Sequence, residues 1–152
     1  MHRTPFRGDD GQVGGIEAIP FGLLVFVAGS LLIANAWAVV DAKFATDAAA
    51  HQAARTFAES EAAGDAVERA VEAGLAAIDG HGRSRSNATI TAAEGTTFRR
   101  CERVTFIATY RLPALTVPFL GGLGDGIDVS SRASEVVDPF RAGVPGEIEE
   151  CA

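Results

Sequence analysis

Three patterns of apolar and polar positions succeed one another along the chain. From Ile16 to Val40 the residues read IEAIPFGLLVFVAGSLLIANAWAVV, 25 positions with Glu17 as the only ionisable group. A helix of that length crosses a hydrocarbon layer of roughly 30 Å. The next stretch, Asp41 to Ala63, keeps a helical composition, with ten alanines and neither Pro nor Gly. The pattern therefore predicts one helix that leaves the apolar layer without a break. At about 1.5 Å per residue, Ile16 to Ala63 makes a rod of about 72 Å, its lower half in lipid and its upper half a stalk in water.

After Gly64 the apolar positions fall on one helical stripe, Val67, Val71, Leu75 and Ile78, behind a capping-box pattern Asp65-Ala-Val-Glu68. A second, amphipathic helix over Asp65 to Ile78 is expected, ending at Gly80 in the turn GHGRSRSN. Gly64 is either a break from the first helix or a kink in it. Beyond the turn the period becomes two. Asn87 to Thr91 is a short strand candidate; Arg103 to Arg111 puts Val104, Phe106, Ala108 and Tyr110 on one face; Ile127 to Val137 keeps Ile127, Val129, Ala133 and Val137 in phase. These predict a three-stranded antiparallel meander with its apolar face on the second helix, a size at which a sheet plus a helix is stable. The fold class is α+β. The boundaries are a leader over 1–15, a transmembrane helix over 16–40, a helical stalk over 41–63, a helix-plus-sheet domain over 64–138 and a flexible acidic tail over 139–152.

Two other accounts of the apolar run fit it less well. A buried core helix needs a large surrounding fold, and 152 residues leave too little chain to wrap it. A cleaved secretory signal has an apolar core of about 7 to 15 residues and a small-x-small site, and this run is longer and passes straight into more helix. Arg3 and Arg7 precede the span, which places the N-terminus in the cytoplasm and the C-terminal domain outside the cell membrane. There a bridge between Cys101 and Cys151 is chemically possible, although two free thiols fit the sequence equally.

Charge and motif chemistry narrow the function. The net charge is −7, against a nucleic-acid binder, which needs a clustered cationic face. Residues 41–79 hold three basic and eight acidic groups and residues 80–112 six basic and two acidic, so helices and sheet are expected to attract, with Arg99, Arg100 and Arg103 facing the acidic helix. The glycines from Gly121 to Gly126 have no phosphate-loop or dinucleotide register. His2, His51 and His81 stand apart without metal-ligand spacing, and Ser130, Ser131 and Ser134 read as surface residues of a strand. Neither an enzyme, a cofactor, a metal site nor a small-molecule substrate is expected. The connection from Leu112 to Gly124 is apolar for a loop, so Leu115, Val117, Phe119 and Leu120 are candidates for burial in the fold, for the membrane surface or for a subunit contact.

Gly11-Gln12-Val-Gly-Gly-Ile-Glu17 followed at once by an apolar helix resembles the type IV prepilin pattern of a glycine cleavage site with a glutamate near the fifth mature position. With the Ala-rich helix, a VTFIATY strand, a Pro/Leu/Gly-rich connection and an IDVSSRAS strand, the chain from Gly8 to about Val137 resembles the TadE-like proteins of tight-adherence (Flp-type) pili in their actinobacterial version. The resemblance implies a minor pilin or pseudopilin that is inserted with its N-terminus inside, trimmed by a prepilin peptidase, and surrounded by other pilin or TadE/TadF-like subunits. It implies cleavage between Gly11 and Gln12, and makes Glu17 the glutamate that pairs with a neighbouring subunit's free amine. Counted from Gln12, Glu17 is the sixth residue, one later than the family pattern, and Pro20 follows closely.

Overall fold

The structure is a computed structural model and describes residues 18–147. The first helix, α1, runs unbroken over Ala18–Ala58 and is followed by α2 over Ala63–Gly80. Five strands come next: β1 Ala88–Ala92, β2 Arg103–Leu112, β3 Leu115–Val117, β4 Gly121–Leu123 and β5 Ile127–Val136. The α+β class and the order of helix, helix and antiparallel sheet follow the hydropathy pattern.

The main sheet has the order β1-β2-β5, antiparallel throughout, with Ala88 opposite Tyr110 and Ala92 opposite Phe106 on one side of β2, and Arg103 opposite Val136 and Leu112 opposite Ile127 on the other. The connection between β2 and β5 adds two strands not expected from the sequence, a small β3–β4 hairpin in which Leu115 faces Leu123 and Val117 faces Gly121. Three-residue strands lie below the length at which alternation stands out from a loop. In β2 the expected face is the buried one: Val104, Phe106, Ala108 and Tyr110 are each at most 5% exposed. In β5 the buried line is Val129, Ser131 and Ala133, continued by Val137 just past the strand, whereas Ile127 is 43% exposed at the sheet's end.

The segment after the apolar run is not a free-standing stalk. Ala42, Ala45, Thr46, Ala49, Ala50, Ala53, Ala54, Phe57 and Ala58 are all buried, so this half of α1 is the central element of the domain. β2 and β5 lie across it, while α2 packs against its other flank and touches the sheet mainly at β1. The sheet's apolar face therefore rests on α1 rather than chiefly on α2. Phe57 anchors the far end of this core, edge-to-face with Phe98 at 5.6 Å and tilted against Phe106 at 5.5 Å.

The face that α2 buries also differs from the stripe of large residues. Ala66, Ala70, Gly74 and Ile78, spaced four apart, are buried, whereas Val67 is 47% exposed and Val71 and Leu75 only border the core. Small side chains let α1 and α2 approach closely. A Cβ at Gly74 would stand 3.1 Å from the Ala49 carbonyl oxygen and 3.2 Å from Ile90 Cγ1. The capping box does not form: Ala62 is the N-cap and no side chain caps it. Helical structure is interrupted at residues 59–62, so Gly64 lies inside α2 instead of marking the break. At the other end Gly82 takes the left-handed conformation (φ 70°) and the Arg83 N–H returns to the Ile78 carbonyl at 3.2 Å, closing the helix.

The described part of the expected flexible tail, residues 139–147, folds back onto the domain. Val144 is 5% exposed, Arg100 Nε donates to its carbonyl at 3.0 Å, and the Arg100 guanidinium also reaches the Pro139 carbonyl. Arg141 donates to the Ala58 carbonyl at 3.3 Å, occupying an acceptor that the end of α1 leaves open. Arg100 thus holds the tail segment and does not face an acidic helix.

Candidate membrane anchor and its junction

Between Ala18 and Val40, α1 presents large apolar side chains on every side. Phe26 and Trp37 are each 71% exposed, Leu32 70% and Ile33 69%. Its apolar window has a mean hydropathy of 2.3 and no buried residue, which makes α1 the one helix among the described residues long and apolar enough to cross a membrane. Twenty-three residues at about 1.5 Å each span about 34 Å, enough for a hydrocarbon core of roughly 30 Å. No polar face interrupts this half, so water is a poor solvent for it on all sides.

A ring of polar contacts encircles α1 where the apolar run ends. Arg83, from the turn after α2, donates to Asp41 Oδ2 from Nη2 at 2.6 Å and from Nε at 3.0 Å, and to the Ala38 carbonyl at 3.0 Å. Its guanidinium carbon also sits 5.1 Å from the centre of the Tyr110 ring, in the cation–π range. The Arg83 side chain is 13% exposed and Asp41 48%, so the pair is partly withdrawn from water and stronger than a fully solvated one. On the opposite flank Lys43 Nζ donates to the Ser130 carbonyl at 2.6 Å and contacts Ser131 Oγ at 2.8 Å; Ser131 Oγ in turn lies 2.9 Å from Thr46 Oγ1. Ser131 is therefore buried, not the surface serine that its strand pattern suggests.

Within the apolar run itself, Asn35 holds the β3–β4 hairpin. Its Oδ1 accepts from the Thr116 N–H at 2.7 Å, and its Nδ2 donates to the Thr116 carbonyl at 3.1 Å and to the Leu31 carbonyl at 2.8 Å. The carboxamide pairs with β3 as a neighbouring strand's peptide would.

The acidic–basic complementarity runs through Arg83 and Arg85. Arg85 bridges Asp79 at 2.6 Å and Glu72 at 3.0 Å, hydrogen bonds to these carboxylates that raise its already high pKa, and Arg55 is raised likewise by Glu59. Both arginines are exposed, so these pairs add little to stability. Sequence reasoning missed Arg83, Asn35 and Ser131 as junction residues. Asn35 had a legible signal, being with Ser30 one of two uncharged polar residues in the apolar run.

The remaining candidates are placed as follows. Gly11, Gln12 and Glu17 lie outside the described residues. Cys101 is disulfide-bonded and has a left-handed backbone (φ 62°); Cys151 lies outside the described residues. Leu115, Val117, Phe119 and Leu120 all belong to the β3–β4 hairpin, with Leu120 76% exposed and the Phe119 ring fully so. His51 and His81 are exposed, and no group of three or more His, Cys, Asp or Glu is placed to hold a metal among the described residues. At the end of α1 far from the apolar run, Arg55, Glu59, Glu135, Asp138 and Arg141 line an open polar groove of about 750 Å³. Comparison with protein-family models, curated proteins and solved structures finds no match, so the functional reading rests on this chain's own residues.

Proposed function

We propose that the protein is a structural or assembly subunit, of the minor-pilin or pseudopilin kind, of a tight-adherence type IV pilus or related secretion apparatus. It sits in the cell membrane as a single-pass protein with its N-terminus inside and the sheet domain outside. The observation that supports this most is the continuity of α1: one uninterrupted helix is both the apolar span and the central element of the folded domain. A tether needs no such coupling and works through a flexible linker. A subunit drawn sideways into a filament needs anchor and domain to move as one body, and the Asp41–Arg83 and Asn35–Thr116 contacts reinforce that coupling. They also weigh against removal of the whole apolar run as a signal, because a chain beginning near Ala42 would strip Arg83 and Thr116 of their partners.

In this reading the role is packing rather than catalysis. Lateral association uses small residues of the span such as Ala28, Gly29 and Ala34, which let helix backbones approach; a Cβ added at Gly22 or Gly29 meets nothing within 4 Å, so those positions are open to a neighbour. Prepilin peptidase removes the leader after Gly11, leaving Gln12 as the mature N-terminus. Glu17 then pairs with a neighbouring subunit's amine, which offsets the cost of placing a carboxylate in the bilayer.

The test is the N-terminal mass of protein purified from membranes of cells with and without an active prepilin peptidase. A peptidase-dependent start at Gln12 or within the next few residues is expected; an intact terminus in both would overturn the reading. Glu17→Gln is expected to insert normally and to lose filament assembly, and normal piliation in that variant would remove the role given to Glu17.

A second reading, a membrane-anchored binding or sensing module, draws on the polar groove at the far end of the domain. It predicts that exchanging residues 18–34 for an unrelated apolar span leaves function intact, whereas the subunit reading predicts that the exchange abolishes assembly.

A further inference from the structure

The β3–β4 hairpin is apolar, exposed and fastened to the membrane-spanning half of α1. We infer that it is a second membrane contact, with Phe119 and Leu120 seated in the outer boundary between lipid headgroups and acyl chains beside α1. The inference rests on α1 being a membrane anchor.

Position is the first argument. Thr116 is bonded to Asn35, five residues before the apolar run ends at Val40. At about 1.5 Å per residue that is about 7 Å below the end of the run, within the roughly 5–10 Å depth at which interfacial apolar groups reside. The hairpin leaves the sheet at the Leu112–Ile127 pair, so its turn at 118–120 projects away from the sheet.

Composition and backbone agree. From Leu112 to Gly124 there is no charged residue, while Arg111 and Asp125 stand at the two ends of this stretch, where it would emerge into water. Phe119 has a left-handed backbone (φ 69°) and a side chain with no protein cover. A phenylalanine kept in that conformation with its ring in the open is costly in water, and lipid removes the larger part of the cost. At Gly122 a Cβ would come within 2.6 Å of Pro113 Cβ, so Pro113 closes over one face of the hairpin and the turn is shaped by fixed packing.

Hydrogen bonding is the third argument. In an apolar layer each backbone N–H and C=O needs a partner, which an open strand edge lacks. Thr116, the central residue of β3, gives both of these groups to the Asn35 carboxamide. The same two bonds occupy the Asn35 Oδ1 and the Nδ2 hydrogen that its bond to the Leu31 carbonyl leaves open within the span.

The experiment places an environment-sensitive fluorophore at single cysteines in the full chain, reconstituted in vesicles of phosphatidylcholine and phosphatidylglycerol, with Cys101 kept in its disulfide. Leu120→Cys is compared with Leu24→Cys in the span and Thr89→Cys in the sheet. Expected are blue-shifted emission at 120 and loss of most of its intensity when the vesicles hold nitroxide-bearing lipid, with position 24 behaving alike and position 89 as in water. In Asn35→Ala the quenching at 120 is expected to fall while that at 24 persists. Water-like emission at 120 with a lipid-like signal at 24 would overturn the hairpin contact and leave the anchor standing. Water-like emission at both would overturn both. A blue shift at 120 without quenching by labelled lipid would mean that a second copy of the chain covers the hairpin, which also overturns the inference.

Discussion

The two halves of α1 share one backbone and opposite rules of side-chain size. From Ala18 to Val40 the helix is rich in Leu, Val, Ile and Phe and exposes them; from Ala42 to Ala58 it buries seven alanines, with Phe57 the only large apolar residue among the buried positions. Lipid fills whatever shape a side chain leaves, so an anchoring surface gains from size. A second helix and a sheet are rigid, so a surface meeting both gains from smallness, which brings backbones close at the density of a protein interior. Apolar character alone does not separate these environments.

This contrast can be broken at Phe57. Phe57→Ala removes the one large side chain of the buried half, between Phe98 and Phe106, and is expected to destabilise the domain by about 3–5 kcal/mol in denaturant unfolding of the detergent-solubilised protein. Leu24→Ala, a comparable truncation in the exposed half, is expected to leave the domain's midpoint within about 0.5 kcal/mol. Equal effects would mean that the halves do not differ as described. Enlargement sharpens the comparison from the other side. Ala49→Leu, at a position with 0% exposure opposite Gly74, is expected to cost about 1–3 kcal/mol by overpacking, while Ala28→Leu in the span leaves domain stability unchanged. At the boundary, Asp41→Asn keeps the shape but removes the charge that Arg83 faces, and a loss of about 1–2 kcal/mol is expected, shrinking at high salt. A loss unaffected by salt would assign the effect to geometry instead of charge.

Legibility followed the range of the physics involved. The buried line Val104, Phe106, Ala108 and Tyr110 was visible because alternation along a strand is a local property: side chains two apart share a face whatever lies above it. On α2 local reasoning holds at Ile78, which is buried, and fails at Val67, which looks like core by its chemistry while Ala66 is the buried neighbour. Only the closeness of α1 decides that a methyl group fits there and an isopropyl group does not. Ser131 was misread for a related reason. A hydroxyl reads as surface until the Thr46 and Lys43 groups that satisfy it are brought opposite by the docking of β5 on α1.

What the sequence determined by itself was the one-dimensional order: a membrane-length apolar run, a continuing Ala-rich helix, an amphipathic helix and period-two strands. Those follow from backbone propensity and from the free energy of placing each segment in water or hydrocarbon, which each segment expresses alone. Tertiary structure decided that the Ala-rich half is the core and not a stalk, that Arg83 belongs to Asp41, and that Asn35 belongs to Thr116. The partners in those pairs stand 42 and 81 residues apart. Which of them meet depends on how the helices and sheet close on one another, a property of the assembled packing that no single stretch of chain contains.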